Sequence, residues 1–242
     1  MSVRAFGRAL PLLILSSAGG AAAAPPGGTV GGDDNAVSYE PAPSVRRDGF
    51  AMAMSSSFGL SHATGFENTV ASISDPDNRQ STGFELGNNF TLWLGGALRD
   101  WLSVGLGFSS TATLTGNPIA ANPSFILHVE GFPLFYRGGT WQDLGIALEG
   151  GLGVGYLLDP DRGNDQKPLA DGGSMSSLGV SVFYEPLRFW HFSAGPSLSY
   201  LHSFSQSMNT DHVLLGFRLS LYGVVPKPEE REARAAGGAS LF

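Results

Sequence analysis

Large apolar residues alternate with small or polar residues along eight short segments of this chain, and residues 102–114 show the pattern best. One face of that segment carries Leu102, Val104, Leu106, Phe108, Ala112 and Leu114, and the other carries Ser103, Gly105, Gly107, Ser109, Thr111 and Thr113. A side-chain period of two is that of a β-strand. We therefore predict eight strands, over residues 49–60, 82–97, 101–113, 123–136, 142–157, 175–185, 189–203 and 211–223.

The connections between these segments alternate in length. Three are short, at residues 99–100, 137–140 and 186–188. The others are longer, at residues 61–81, 114–122, 158–174 and 204–210. Short turns at one end and long loops at the other are typical of an antiparallel up-and-down barrel that crosses a membrane.

The bulk of the two faces indicates which one lies inside. In the segment 142–157 the bulky face carries Leu144, Ile146, Leu148, Leu152, Val154 and Tyr156, and the opposite face carries Asp143, Gly145, Ala147, Glu149, Gly151, Gly153 and Gly155. An eight-stranded interior is only just wide enough for side chains, so eight such bulky faces would overfill it. The sequence therefore predicts an all-β, eight-stranded transmembrane β-barrel with a lipid-facing apolar exterior and a small, polar lumen.

Aromatic residues mark both ends of the predicted strands. Trp101, Trp141 and Trp190 each lie beside a short turn, whereas Tyr156 and Tyr200 lie toward the long loops. Aromatic girdles of this kind are expected where a barrel meets the two membrane–water interfaces. We assign these five residues to the interface girdles.

In these features residues 49–223 resemble the small eight-stranded outer-membrane proteins of the OmpA and OmpX type. The last strand contains Gly216-x-x-Leu219-x-Leu221, which is similar to the signal that the barrel-assembly machinery reads. The resemblance implies an outer-membrane location with both termini in the periplasm. It also implies contact with outer-membrane lipid and lipopolysaccharide, and assistance from the assembly machinery during biogenesis. It names no extracellular ligand.

The two ends of the chain have a different composition from the barrel. Residues 1–24 read as a signal peptide, with Arg4 and Arg8 before an apolar stretch and a small-residue cleavage site near Ala23. Residues 25–48 are rich in Gly, Pro, Asp and Ser, which predicts a disordered periplasmic leader. Residues 224–242 are expected to form a charged periplasmic tail.

Composition excludes several functional classes. The chain contains no Cys, which excludes a disulfide framework, a thiolate metal site and a catalytic thiol. Its formal net charge is −7, whereas nucleic-acid binding requires a basic face. We predict no nucleic-acid partner and no cofactor.

Several charged residues fall on the inward face of the predicted strands. Arg218, Glu130 and Glu149 are expected near mid-height, with His128 close by and Glu85 higher. A buried charge must be paired, so we expect Arg218 to pair with one or two of the glutamates. The group forms either a gated narrow pore or a plugged core, and the small diameter favours the plugged core. A second inward group, Asp143, Glu185 and His191, is expected near the short turns.

The inward and outward faces of the predicted strands also bear on two other kinds of site, a hydrolase site and a metal site. His191-x-Ser193 has the spacing found in outer-membrane lipid A deacylases but is predicted to face inward, and we expect no acidic residue on the outer face beside His202. His62, His202 and His212 lie at the loop ends of neighbouring strands and are weak candidates for a zinc or copper site. Solvated loop histidines are the favoured interpretation, so we predict neither a catalytic nor a metal site.

The predicted function is non-enzymatic, as an envelope component, a surface-interaction protein or a very narrow pore. Two alternatives stay open. One is a lipid-modifying outer-membrane barrel enzyme. The other is a soluble lipocalin-like periplasmic carrier, in which the apolar faces would point inward around a ligand.

Overall fold

The computed structural model describes residues 47, 49–67, 69–73, 75–137, 139–162, 168–189 and 191–223. Its strands are β1 (Gly49–Gly65), β2 (Gln80–Arg99), β3 (Leu102–Thr113), β4 (Ile119–Gly131), β5 (Leu144–Leu158), β6 (Ala170–Tyr184), β7 (Leu187–Phe189), β8 (Phe192–Phe204) and β9 (Met208–Tyr222). A short helix α1 (Val70–Ile73) and 3₁₀ turns at Pro76–Asn78, Phe135–Arg137, Gly139–Asp143 and Pro160–Arg162 complete the described elements. The predicted signal peptide, Trp190, the tail and all of the leader except Arg47 lie outside the described residues.

No helix among the described residues is long and apolar enough to cross a membrane.

Eight of the nine strands form one closed antiparallel barrel. Each strand from β1 to β5 pairs with the next, β6 pairs with β8, and β8 pairs with β9. Closure is made by β1 and β9, which pair from Ala51 opposite Tyr222 to Gly65 opposite Met208. The predicted all-β barrel is therefore confirmed. We call the end that holds residues 49 and 222 the turn end, and the opposite end the loop end.

The ninth strand, β7, lies at the turn end and was not predicted. Residues 186–188 were expected to be a simple turn, but Leu187–Phe189 pairs with Ala194, Ser193 and Phe192 at the start of β8. The partner β6 reaches only as far as the pair Phe183–Ser197. Because Pro186 has no N–H to donate, the ladder of β6 is interrupted there and β7 occupies the rest of the edge of β8.

The connection between β4 and β5 is also longer than predicted. The fourth strand was expected to continue to residue 136, but β4 ends at Gly131 and two 3₁₀ turns precede β5. Pro133 lacks the N–H that would continue the ladder. The side chain of Phe132 is buried against Ala147 and Phe183, so this connection covers the turn end of the lumen.

At the loop end most strands extend further than predicted, and the connections between them are correspondingly shorter. The connections are residues 66–79, 114–118, 159–169 and 205–207. The extensions consist largely of small and polar residues that keep their backbone pairing, such as Thr64 opposite Ser81. Without a large apolar residue at every second position, these segments lack the alternation from which the strands were predicted.

The two faces of the wall carry side chains of very different size. Outward-facing residues include Leu148, Leu152 and Leu215, which are 59%, 64% and 66% exposed. Inward-facing neighbours such as Ala147 and Ser220 are fully buried. The structure thus has the predicted apolar exterior around a lumen of small and polar side chains, which is the arrangement of a barrel embedded in lipid.

The aromatic residues predicted for the girdles occupy both ends of the exterior. Trp101 and Trp141 lie at the turn end and are 37% and 61% exposed. Tyr156 is half-buried near the loop end of β5, and Tyr200 is 43% exposed near the loop end of β8. The two levels leave an apolar band between them.

Replacing Leu148 by arginine tests which face meets lipid. Because Leu148 lies between the two ends of β5 on the exterior, L148R should lower the free energy of unfolding by about 2–4 kcal/mol. Leu98 is also exposed but lies at the turn end of β2, so L98R should cost about 0–1 kcal/mol. Urea titration of the proteins folded into phospholipid vesicles measures both. Equal costs for the two variants would show that the band is not embedded in lipid.

Candidate functional site

The centre of the lumen is filled by a few large side chains. The wall around them is built from Gly, Ala, Ser and Thr, which leave a narrow space along the barrel axis. Trp93, His128, Phe183 and Arg218 project into that space and are all buried. The aromatic rings pack against charged groups, with His128 stacked on Trp93 at a centroid distance of 4.5 Å and the Arg218 guanidinium 4.0 Å from the Phe183 centroid.

Arg218 binds two buried carboxylates. Its Nη2 forms an ion pair with Glu130 of β4, and its Nε donates to Glu185, which follows β6, at 2.8 Å. Both glutamate side chains are fully buried. Ser220 donates a further hydrogen bond to Glu185, and the Tyr222 hydroxyl donates to Glu185 at 3.0 Å. The pairing and the extra hydrogen bonds offset the cost of removing these charges from water.

His128 links this group to a third glutamate. Its Nε2 lies 3.3 Å from Glu130 Oε2 and its Nδ1 lies 3.0 Å from Glu149 Oε1. An ionised carboxylate only accepts hydrogen bonds, so an imidazolium, with an N–H on each ring nitrogen, can donate to both glutamates at once. The arrangement therefore suits a protonated His128 between Glu130 and Glu149.

Arg47 closes the group at the turn end. The residue lies two positions before β1 in the predicted leader, yet its side chain is fully buried. Its guanidinium carbon lies 3.2 Å from the centroid of the Phe132 ring, and its Nη2 lies 3.8 Å from Glu185 and 3.9 Å from Asp143. A buried cation that lies over an aromatic ring and beside two carboxylates is attracted by the ring and by both charges. Arg47 therefore departs from the disordered leader that was predicted over residues 25–48.

The contacts just described balance four carboxylates against four cations. Asp143 completes the set by pairing with Arg188 as well as with Arg47. The carboxylates are Glu130, Asp143, Glu149 and Glu185, and the cations are Arg47, His128, Arg188 and Arg218. We call these eight residues the lumen charge group. With a protonated His128, the formal charges of these eight residues are equal in number and opposite in sign.

The charge group differs in three ways from the one predicted. Glu149 contacts His128, whereas the second partner of Arg218 is Glu185, which was assigned to a separate group. Glu85 lies toward the loop end, at the higher level expected for it, but it accepts a hydrogen bond from Thr115 and makes no ion pair with the charge group among the described residues. Arg47 and Trp93 were missed as lumen residues, although Trp93 shares the inward parity of Asn89 and Thr91.

Apolar clusters close the lumen on both sides of the charge group. At the loop end Leu157, Met175 and Met208 pack with Ala63, Ala120 and Ala170. At the turn end Phe132 packs with Ala147 and Phe183. Two cavities inside the described barrel measure about 20 and 10 Å³, which is room for single water molecules.

The three candidate metal-binding histidines lie on different sides of the wall. His212 is buried in the lumen, with its Nδ1 2.7 Å from Ser61 Oγ. His62 and His202 lie on the outer face, where they flank Asp211 on the strand between them. No group of three or more His, Asp or Glu side chains in the described part of the chain is arranged to hold a metal ion.

Asp211 forms a cluster on the outer face near the loop end. It accepts hydrogen bonds from the Tyr200 hydroxyl at 2.7 Å and from His202 Nδ1 at 2.9 Å. The expectation that no acidic residue lies beside His202 on the outer face is therefore wrong. In a His-x-Ser spacing the serine would stand two residues after His202, but that position is Phe204. Ser193, the serine of the predicted His191-x-Ser193 pair, is buried. We call His62, Tyr200, His202 and Asp211 the rim cluster.

No family model and no curated protein matches this chain. Among solved structures it is similar to Neisserial surface protein A, with a TM-score of 0.44 and 9% identity over 72% of this chain and 97% of that one. It is also similar to Ail of Yersinia pestis in complex with the heparin analogue sucrose octasulfate, with a TM-score of 0.44 and 12% identity over 72% and 99%. The N-terminal β-barrel domain of Pseudomonas aeruginosa OprF matches with a TM-score of 0.38 and 11% identity over 72% and 99%. Likenesses at this level carry no inference about what this chain binds.

Removing the Arg218 charge tests the lumen charge group. R218M should lower the free energy of unfolding by about 3–5 kcal/mol, because Glu130 and Glu185 then lose the buried cation that binds both. The control E85Q removes a carboxylate outside the group and should cost less than about 1 kcal/mol. Urea unfolding in vesicles, followed by tryptophan fluorescence, reports both values. An unchanged stability of R218M would show that the charges are hydrated rather than buried.

Proposed function

We propose that this protein is a non-enzymatic outer-membrane β-barrel whose lumen is closed and whose contacts are made by its exterior and its loop end. One observation carries the proposal, which is the combination of an apolar exterior with a lumen filled by paired charges and sealed by apolar clusters. A soluble protein would bury the bulky face and expose the small one. Here the bulky residues are outside.

The proposed orientation places the turn end in the periplasm. Both ends of the described barrel, residues 49 and 222, lie at that end because the number of wall strands is even. Periplasmic turns are short and extracellular loops longer in barrels of this class. The predicted signal peptide, periplasmic tail and use of the barrel-assembly machinery agree with this orientation and stay predictions.

The filled lumen favours an envelope or surface-interaction role over a narrow pore. Passage of an ion would require displacement of the buried Arg218 pairs and of the packed Met175 and Met208 side chains. A carrier function is disfavoured for the same reason, since the two lumen cavities described above are too small for an apolar ligand. The proposed partners are therefore outer-membrane lipid and lipopolysaccharide at the exterior, and an extracellular ligand at the loops.

Lipid hydrolysis is the second candidate, and one observation favours it. Asp211 hydrogen-bonds His202 on the outer face, as the acid of a catalytic triad orients its base. Among the described residues no hydrogen bond joins His202 to a serine hydroxyl. The serine beside the rim cluster, Ser81, lies with its Oγ 3.4 Å from Nε2 of His62, the histidine that Asp211 does not hydrogen-bond, so no serine, histidine and acid are connected in one triad. We therefore rank this function below the non-enzymatic one.

Heat-modifiability tests the membrane proposal. The chain is expressed with its own N-terminal segment, and the urea-washed outer-membrane fraction is run on a denaturing gel with and without boiling. A folded transmembrane barrel should resist the detergent unless boiled, because its closed wall leaves no strand edge to open, and should migrate at a different position. Recovery of a soluble protein without a mobility shift would contradict the proposal.

Bilayer recording tests the closed lumen. The purified full-length protein in a planar phospholipid bilayer should carry no current above that of the protein-free membrane, because both ends of the lumen are sealed. Steady channels in the wild-type protein would contradict the closed lumen while leaving the barrel itself intact.

A further inference from the structure

Two methionine side chains meet inside the lumen at the loop end. Met175 of β6 and Met208 at the start of β9 are 1% and 2% exposed, and both belong to the apolar cluster that closes this end. The strand β8 separates β6 from β9 in the wall, so the two side chains do not come from paired strands. The barrel thus holds two buried thioether sulfurs in one place, outside the lumen charge group.

Gly155 provides the space toward which both sulfurs point. It faces inward on β5, and a Cβ atom built on it would overlap Met175 Sδ and would lie 3.2 Å from Met208 Sδ. Gly172 has the same effect on β6, where an added Cβ would also overlap the Met175 thioether. Any side chain at either position would displace a sulfur. The two glycines therefore allow both sulfurs to approach one point.

An amide group lies beside the same point. Asn122 of β4 is 3% exposed, and its Nδ2 lies 3.5 Å from Met175 Sδ and would lie 3.4 Å from a Cβ at Gly155. The oxygen and nitrogen of an amide exchange places when the group rotates by half a turn, so Asn122 can also present its carbonyl oxygen. Three uncharged donor groups, from β4, β6 and β9, therefore converge beside one glycine.

The chemistry of these donors selects one class of ion. Thioethers are uncharged and polarisable, and they favour soft ions such as Cu(I) over the hard cations that prefer carboxylate and water. Leucine would fill the cluster at a similar volume, so packing alone requires neither sulfur. Asp171, which is half-buried beside Gly172 in the chain, gives this end of the barrel a negative charge that favours a cation.

The route to the sulfurs is from the loop end. Met208 is the first residue of β9 and directly follows the connection of residues 205–207. Ser207 in that connection is buried and donates a hydrogen bond to the backbone oxygen of Asp171 at 2.7 Å. A shift of this short connection would admit an ion without disturbing the lumen charge group, which lies further toward the turn end.

From this convergence we infer that Met175, Met208 and Asn122 form a binding site for a soft monovalent metal ion, Cu(I) or its chemical analogue Ag(I). The two thioether sulfurs bind the ion, and the amide oxygen of Asn122 completes its coordination. The ion enters and leaves in the same oxidation state. The site goes beyond the proposed envelope function and does not depend on which end of the barrel faces the cell exterior.

Nuclear magnetic resonance of the methionine methyl groups tests the site in the full-length protein in detergent micelles. Ag(I) is the probe because, unlike Cu(I), it is not oxidised by air, and it is added as silver nitrate in chloride-free buffer. The signals of Met175 and Met208 should shift together and saturate at one ion per protein. Those of Met52 and Met54, on the outer face of β1, should not shift, and magnesium nitrate should shift none of the four.

Substitution by leucine removes one sulfur at a similar volume. M175L and M208L should each weaken Ag(I) binding by about tenfold or more, because one thioether then replaces two, and both variants should keep the heat-dependent gel shift of a folded barrel. M54L is the matched control, since it removes a sulfur from the exterior, where the side chain is 43% exposed. It should bind Ag(I) as the wild type does.

The outcomes separate the inference from the proposed function. Wild-type affinity in the double variant M175L/M208L would overturn the site, and so would equal shifts of all four methionine signals, which would indicate non-specific binding to any thioether. An absence of shifts at Met175 and Met208 in the wild type would overturn it however the variants fold. Each of these results leaves the barrel standing, whereas absence of the gel shift in the wild type would reject the barrel itself.

Discussion

Backbone closure is the constraint on which the rest of this structure depends. In the hydrocarbon of a membrane an unpaired N–H or C=O costs several kcal/mol, so a sheet can cross only if it has no free edge. The pairing of β1 with β9 removes the last edge. Closing a wall of eight strands sets a narrow interior, and a narrow interior requires Gly, Ala, Ser and Thr on the inward face. The bulk of the chain must then lie outside.

The same narrow interior explains why the lumen charges are so fully paired. No bulk water separates the side chains, so each buried carboxylate needs a cation or a hydrogen-bond donor within contact distance. Arg218 satisfies two glutamates because its guanidinium has donors on different edges. Arg47 brings in a cation from outside the wall. The pairing of buried charges therefore both stabilises the barrel and fills its lumen.

The alternation of side chains was sufficient to predict the barrel, its eight wall strands and the direction of most inward residues. It could not predict contacts across the lumen, because parity gives the face of a residue but not its height relative to distant strands. The contact between Glu185 and Arg218 is an example, because the two residues were placed in separate groups. Asp211 lies opposite His202 because β8 and β9 are joined by residues 205–207 alone. The predicted loop, residues 204–210, was longer and did not fix which residues of the two strands face each other. The end of β4 before Pro133 was missed because residues 123–136 were predicted as one strand, and β7 was missed because residues 186–188 were read as a simple turn.

The closure between β1 and β9 also has a consequence for how the chain reaches this structure. Each of the other wall pairings joins strands that are neighbours in sequence or nearly so, whereas Ala51 pairs with Tyr222 at the opposite end of the barrel segment. Contacts between residues so distant in sequence form late and slowly. Until β9 pairs with β1, the sheet keeps two free edges, which are templates for aggregation. Folding of this chain is therefore a competition between barrel closure and mispairing. A truncation that removes β9 would leave the hairpins before it intact but would leave the edge of β1 without its partner.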